Sequence, residues 1–180
     1  MPADLQPKLE NAWIRLRPLR AEDFEPLFAV ASDPLLWEQH PSRDRYQREV
    51  FENYFKGAME SGGALLVLDA QSGQPIGSSR YYEWDESKRT VAIGYTFIAR
   101  DHWGGRYNRE LKTLMLDHAY RFADTVVFHI GKSNLRSRKA MEKLGGKLIG
   151  EVAVAYYGEA SNLNAIYEIS RADWARLRQP

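Results

Sequence analysis

Residues 93–146 carry the side chains and spacings best suited to chemistry. A strand with a central glycine, Gly94, is followed by the pair Gly104-Gly105 and then by an amphipathic pattern typical of a helix. Unpaired amides at the start of a helix, together with the helix dipole, favour an anion such as a pyrophosphate. Such a loop is an anion site in principle, but a glycine pair also precedes many helices for packing reasons, and the pair by itself favours packing.

A second helix with polar residues at its start follows a continuous apolar strand. Asn134 and Ser137 open this helix, where Asn is a suitable N-cap and Ser lies in the first turn. The same two side chains can also face a ligand, because capping uses only one side of a residue. The residues alone leave both interpretations open.

The composition excludes several classes of protein. The 180-residue chain has no cysteine, which excludes a disulfide framework, a thiolate metal site and a cysteine nucleophile. Its four histidines show no metal-ligand spacing, so no metal is predicted. A net charge of +1 argues against a nucleic-acid partner bound through bulk charge. No apolar run approaches the ~20 residues of a membrane span, and no signal-peptide core is visible, so we expect a cytoplasmic protein without a membrane partner.

The elements that must position these residues follow from the periodicity of apolar side chains. The predicted strands span residues 13–17, 64–68, 76–84, 90–99, 125–130, 147–157 and 163–169, and the predicted helices span 24–31, 42–61, 107–122, 134–144 and 173–178. Lys112 lies off the apolar stripe of the third helix. We expect one α/β domain over residues 1–180, with a mixed sheet of about seven strands and helices on both faces.

The whole pattern resembles the GNAT superfamily of acetyl-CoA-dependent N-acetyltransferases, most closely the branch that acetylates the N-termini of ribosomal proteins. The resemblance covers nearly the whole chain. The matching segments are residues 13–20, Ala92-Ile-Gly-Tyr95, His102-Trp-Gly-Gly-Arg-Tyr-Asn-Arg-Glu110, Asn134-Leu-Arg-Ser137 and residues 168–174. The resemblance implies a mostly antiparallel GNAT-like sheet and acetyl-CoA as co-substrate, with no metal.

The phosphate loop departs from the family pattern at three positions. Trp103 stands at a Gln or Arg position, Arg106 at the first key glycine and Asn108 at the final Gly or Ala. Glycine at such places lets the backbone approach a phosphate closely. Arg106 can still bind phosphate through its guanidinium, or Arg106 and Arg109 can be solvated residues of the first turn.

The resemblance also implies where the cofactor lies. The pantetheine arm would occupy the gap between the strand of Gly94 and the strand of Phe128, and Asn134 and Ser137 would face it. The implied cofactor-binding residues are Phe97, Ile98, Ala99, Trp103, Gly104, Gly105, Arg106, Tyr107, Asn108, Arg109, Asn134 and Ser137.

Acetyl transfer requires a neutral amine, a site for the tetrahedral oxyanion and a proton for the leaving thiolate. Neutralising an α-amine with a pKa of about 7.7–8.0 costs about 1 kcal/mol at pH 7, against about 4.6 kcal/mol for a lysine amine. A weakly basic amine therefore needs only a weak base. A backbone N–H near the Gly94-Tyr95 bulge would hold the oxyanion.

The side-chain catalysts depart from the family pattern, because Ala92 and Met141 stand where many members have a glutamate and a tyrosine. The candidates for catalysis are Ser137, which would meet the thiolate, Glu83 as base, and Tyr95. Glu83, like Asp85, can equally be a solvated residue of a hairpin tip. Tyr95 is held in reserve, as is Tyr156, and either can be a packing residue. His129 is expected to be a satisfied core histidine.

Trp37 and His40 are the candidates for an acceptor pocket, since aromatic and polar groups cluster between the first two helices. Packing of a helix connection is the equal alternative. The predicted function is N-acetylation of a primary amine, on a peptide or protein N-terminus or a small molecule, by direct attack in a ternary complex. The alternatives are a non-catalytic acyl-CoA sensor and a plain interaction domain. A monomer and a homodimer are both open.

Overall fold

An eight-stranded sheet forms the centre of the protein, and the computed structural model describes residues 2–155 and 159–180. The strands are β1 (Leu9–Glu10), β2 (Ile14–Pro18), β3 (Ala64–Asp69), β4 (Pro75–Asp85), β5 (Thr90–Ile98), β6 (Thr125–Gly131), β7 (Lys147–Ala155) and β8 (Ser161–Ser170). The helices are α1 (Phe24–Ala31), α2 (Arg48–Ser61), α3 (Tyr107–Ala119), α4 (Leu135–Leu144) and α5 (Arg171–Leu177). None of the helices in these described ranges is long and apolar enough to cross a membrane.

The strand order is β1-β2-β3-β4-β5-β6-β8-β7, and every neighbouring pair is antiparallel except β5 and β6, which are parallel. The predicted mixed and mostly antiparallel α/β class is therefore confirmed. The additional strand is β1, whose two residues are too few to show an alternating pattern in the sequence.

The second helix is shorter than predicted. It begins at Arg48 rather than near Ser42, because residues 43–47 form turns and the Ser42 hydroxyl donates to the Glu159 carboxylate instead of capping a helix. Its end agrees with the glycine pair in the sequence. Gly62 has φ +68°, a left-handed conformation that glycine adopts without steric cost.

Two apolar layers cover the sheet, one on each face. Successive residues of a strand point to opposite faces, so Leu65 of β3 packs in the layer formed with α3 and α5, and its neighbour Leu66 packs in the layer formed with α1 and α2. The first layer contains Met115 and Trp174, and the second is rich in aromatic rings around Phe51.

The sheet opens in its middle, where two irregularities meet. Ser78 pairs with Phe97 and Arg80 with Gly94, so β5 has one extra residue opposite Ser79 and forms a bulge. The parallel pairing of β5 with β6 covers only Thr90–Ala92 and residues 125–127, after which the two strands part. The glycine in the middle of this strand thus marks a bulge, as its position in the sequence indicates.

Candidate active site

A groove of about 600 Å³ occupies the place where β5 and β6 separate, and this volume is within the range of small-molecule sites. The start of α3, the start of α4 and the segment before α2 complete its walls. The sequence-predicted residues that line it are Trp37, His40, Tyr95, Phe97, Ile98, Trp103, Gly104, Gly105, Asn108, Arg109, Asn134 and Ser137. Glu83, Ala99, Arg106 and Tyr107 are not among its lining residues.

One end of the groove is the loop before α3, which is the phosphate site predicted from the sequence. Gly104 has φ +72°, and a Cβ added at Gly105 would meet nothing within 4 Å, so the backbone here is open to a ligand. Trp103 anchors the loop by donating from Nε1 to the Ile98 carbonyl at 2.8 Å. The amides of the first turn of α3 have no partner within the helix and are available to an anion.

Arg106 and Tyr107 turn away from the groove. The Arg106 guanidinium pairs with Glu110 at 3.2 Å and lies 4.9 Å from the centre of the Trp13 ring. The Tyr107 hydroxyl donates to Asp69 at 3.1 Å. Neither side chain lines the groove, and Arg106 takes the arrangement of a first-turn surface residue.

The start of α4 forms the wall opposite the loop. The Asn134 Oδ1 accepts from the Ser137 amide at 3.3 Å, so the predicted N-cap is present. Both residues also line the groove, so the cap leaves them on its wall, and their contact with a ligand stays a prediction. The Arg136 guanidinium stacks on the Trp103 ring at 3.7 Å and so joins the two walls.

Tyr95 sits at the bulge with φ +54°, outside the range that most non-glycine residues adopt. The Tyr54 hydroxyl donates to the Tyr95 carbonyl at 2.7 Å, and the Arg80 guanidinium lies 3.8 Å from the centre of the Tyr95 ring. Burial raises the pKa of Tyr95, and the positive charge of Arg80 opposes that rise. Tyr95 is therefore protonated at neutral pH, so its hydroxyl can donate a hydrogen bond or a proton but cannot act as a general base.

His129 is not the core histidine that the sequence indicates. It is half-buried in β6 beyond the last residue paired with β5, where it lines the groove and holds Nδ1 2.8 Å from the Tyr82 hydroxyl. Burial lowers the pKa of His129, and the charge of nearby Glu83 acts in the opposite direction. The ring is thus neutral at pH 7 and able to accept a proton.

Lys112 is the second residue that the sequence analysis places wrongly. Its side chain points inward from α3 into the groove, is 7% exposed and donates from Nζ to the Thr96 hydroxyl at 2.7 Å. Burial lowers the pKa of Lys112 to about 7. A lysine four residues after a groove-lining Asn108 is on the same helix face, and this spacing was the one signal available in the sequence.

The two acceptor-pocket candidates differ in their surroundings. Trp37 is 1% exposed, donates from Nε1 to the Ala31 carbonyl at 2.8 Å and packs on Phe97, so it is mainly a packing residue. His40 accepts at Nδ1 from the Ser42 amide at 2.9 Å. Burial, with the charge of Arg45, lowers the pKa of His40 well below its ordinary value. Tyr156, the reserve candidate, lies outside the described residues.

The groove has a one-sided charge. Within the described part of the chain its lining contains no Asp or Glu, whereas it contains Arg109, Lys112, Arg136, Lys139 and Lys143. In the same part of the chain there is no group of three His, Asp or Glu residues that could hold a metal ion. Such a groove favours an anionic ligand.

Comparisons with solved structures show the same fold in bacterial acetyltransferases. A GCN5-related N-acetyltransferase from Brucella melitensis has a TM-score of 0.84 and 20% identity, and the similarity covers 99% of this chain and 84% of that chain. A spermidine N-acetyltransferase from Vibrio cholerae, solved with CoA and spermine, has a TM-score of 0.69 and 17% identity over 92% of this chain and 99% of that chain. RimJ from Mycobacterium smegmatis, solved with CoA-disulfide, has a TM-score of 0.67 and 17% identity over 92% and 84% of the two chains.

A comparison with curated proteins gives no match. The family model of the acetyltransferase (GNAT) domain matches residues 14–147, which is most of the chain and includes both walls of the groove. The chain therefore belongs to the GNAT acetyltransferase family.

Proposed function

We propose that this protein is an acetyl-CoA-dependent N-acetyltransferase that acts on a primary amine of low basicity. The observation that carries the proposal is the acid-free groove between β5 and β6, which ends at the open loop before α3. A coenzyme with a diphosphate at one end and a neutral arm at the other suits the positive charge and the volume of such a groove. Relatives of the same fold from Vibrio cholerae and Mycobacterium smegmatis were solved with CoA or its disulfide.

The proposed cofactor placement uses backbone and side chains differently. The diphosphate would be bound by the amides of residues 104–109, with the side chains of Asn108 and Arg109 beside it, while Arg106 and Tyr107 would contribute backbone only. The arm would run along residues 97–99 and face Asn134 and Ser137. Lys139 and Lys143 line the same wall and would add positive charge near the phosphates.

The proposed chemistry is direct attack of the amine on the thioester carbon. The C–N bond forms, the C–S bond breaks, and the oxyanion is held by a backbone amide at the Gly94-Tyr95 bulge. Ser137 would donate a hydrogen bond to the departing thiolate. His129 would take the proton of the amine, with its ring held by Tyr82, whereas Glu83 does not line the groove and would act on His129 through its charge.

The charge of the groove lining favours one class of acceptor amine over another. A polyamine needs carboxylates, and the described lining of the groove has none, so a polycation is disfavoured despite the likeness to a spermidine N-acetyltransferase. An α-amine, of a peptide or protein N-terminus or of a small molecule, needs the least help to lose its proton. The ribosomal-protein branch remains a candidate for this reason, and RimJ is one of the proteins of similar fold.

Two measurements test the proposal. Isothermal titration calorimetry with CoA should give a saturable one-site isotherm, and a thiol-release assay with acetyl-CoA and a panel of α-amines should show turnover. CoA binding without turnover on any amine would favour the non-catalytic sensor. No binding of CoA would contradict the proposal and favour an interaction domain. A thermal-shift measurement checks this result, because a ligand that binds only the native state must raise the unfolding temperature.

A further inference from the structure

Lys112 is a buried cation for which the groove provides no counter-ion. Its described contacts are the hydrogen bond from Nζ to the Thr96 hydroxyl at 2.7 Å and the Phe128 ring, whose centre lies 5.8 Å from Nζ. An ammonium group has three donors, and within the described residues this one hydroxyl accepts from it. Thr96 is in turn hydrogen-bonded to Ser79 at 2.8 Å, so Lys112 ends a chain of neutral hydroxyl groups.

The elements packed around Lys112 carry no negative charge toward it. The charged residues that share the groove are Arg109 on its own helix and Arg136, Lys139 and Lys143 on α4, all of them positive. The other titratable residues of the described lining are His40, Tyr95, His102 and His129, and none of them is a carboxylate. Burial alone accounts for the lowered pKa of Lys112, without a contribution from a neighbouring charge. A buried ammonium without an anion is costly, and an anion brought by a ligand would remove that cost.

Coenzyme A itself does not supply this anion at the right place. In the proposed function its phosphates lie at the first turn of α3, and Lys112 lies about 6 Å further along the helix axis than Asn108, at roughly 1.5 Å per residue. Lys112 instead contacts Thr96, next to the bulge that would hold the thioester. The pantetheine arm and an acetyl group are both neutral.

Resting on the proposed function, we propose that Lys112 adapts the groove to an acyl-CoA whose acyl chain ends in a carboxylate, with a succinyl group as the simplest case. The carboxylate would accept from Lys112 Nζ and from the Thr96 hydroxyl. The transfer step is unchanged: the amine nitrogen bonds to the thioester carbon, the C–S bond breaks, and the thiolate takes a proton. Acetyl-CoA would bind in the same groove, without this ion pair.

Binding by calorimetry tests this without knowledge of the acceptor. CoA, acetyl-CoA and succinyl-CoA are titrated into the wild type, the variant Lys112→Met and the matched variant Lys143→Met, which removes a cation from the opposite wall. The wild type should bind succinyl-CoA about tenfold more tightly than acetyl-CoA, as expected for a charge-assisted hydrogen bond. Lys112→Met should reduce this ratio to about one, and Lys143→Met should keep the ratio while weakening all three ligands.

A readout on the wild type alone keeps the proposal testable if Lys112→Met does not fold. A carboxylate stabilises the ammonium form of Lys112, so the protein should take up a proton when succinyl-CoA binds above pH 7. The preference of the protein for succinyl-CoA over acetyl-CoA should fall as the pH rises. Calorimetry in buffers of different ionisation enthalpy measures the proton, and acetyl-CoA is the reference that cancels any contribution from His129.

The failures are distinguishable. If none of the three ligands binds, the proposed cofactor site is wrong. If CoA and acetyl-CoA bind but succinyl-CoA is no tighter than acetyl-CoA, or if Lys112→Met keeps the tenfold ratio, the cofactor site stands and the role of Lys112 is overturned.

Discussion

The hydrogen bond between His129 and Tyr82 is of functional interest because of its position in the sheet. The same hydrogen bond inside a closed sheet would be a packing detail, but here it lies where β5 no longer pairs with β6. Burial lowers the pKa of His129 and keeps it neutral, and the contact at Nδ1 orients the ring. These are the properties that a general base requires.

We expect His129→Asn to lower kcat by about 100-fold on an active amine, which is the usual contribution of a general base. In the wild type the rate should fall as the pH decreases through the pKa of His129, because the protonated ring cannot accept a proton. This acid limb should be absent in His129→Asn. The measurement is a pH profile of kcat at saturating amine for both proteins, because kcat/KM also falls as the free amine becomes protonated. Unchanged CoA affinity is the check on folding, and a kcat profile of the variant that keeps the acid limb would contradict the role.

At the scale of elements, the proposed binding of a phosphate by the loop before α3 depends on the free space around the loop backbone. The two neighbouring glycines differ in conformation, since Gly104 has a positive φ and Gly105 does not, while neither would have a Cβ contact within 4 Å. One position is therefore required for the turn, and the other leaves space that a ligand can fill.

We expect Gly105→Ala to leave the free energy of unfolding within about 0.5 kcal/mol of the wild type, as for a substitution without contacts. The added methyl group should nevertheless reduce CoA affinity about tenfold, because it occupies the space proposed for the phosphate. The matched variant Gly104→Ala should instead lose about 1 kcal/mol of stability. Urea unfolding and calorimetry measure the two quantities, and full CoA affinity in Gly105→Ala would place the phosphate elsewhere.

The sequence predicts the helices and strands, but it does not predict how α3 rotates on the sheet or where the sheet opens. The periodicity of α3 predicts a helix, and the mid-strand Gly94 predicts a bulge. The inward direction of Lys112 depends on how α3 rotates on a sheet that has opened beneath it, and no local pattern encodes that opening. The partial exposure of His129 is also caused by the opening of the sheet. A strand rich in apolar residues is predicted to be buried on both faces, but β5 no longer pairs with β6 at His129.

At the scale of the whole molecule, one buried ion pair joins distant parts of the chain. Arg45, which precedes α2, donates from Nε to Glu159 at 2.8 Å and from Nη2 at 3.1 Å, and Ser42 also donates to this carboxylate. The side chains of the pair are 2% and 8% exposed. Glu159, which precedes β8, is thereby held against the segment before α2.

We expect Glu159→Gln to reduce the free energy of unfolding by about 3 kcal/mol, because it removes a carboxylate that is bonded to a buried guanidinium. The matched variant Glu25→Gln removes a carboxylate that pairs with Arg48 on the surface and should cost less than about 1 kcal/mol. Urea unfolding of both variants is the measurement. Equal losses of unfolding free energy in the two variants would show that the buried pair of Arg45 and Glu159 stabilises the protein no more than the surface pair does.

The short parallel contact between β5 and β6 has a consequence for the unliganded protein. Three residue pairs join the halves of the sheet, so beyond them each strand presents an edge in the interior of the molecule rather than at its rim. The Tyr54 hydroxyl and the Trp103 indole N–H already hold the Tyr95 and Ile98 carbonyls of the β5 edge. The arm of the proposed cofactor would pair with such an edge in the way that an added strand does, so a bound ligand would join the two halves of the sheet.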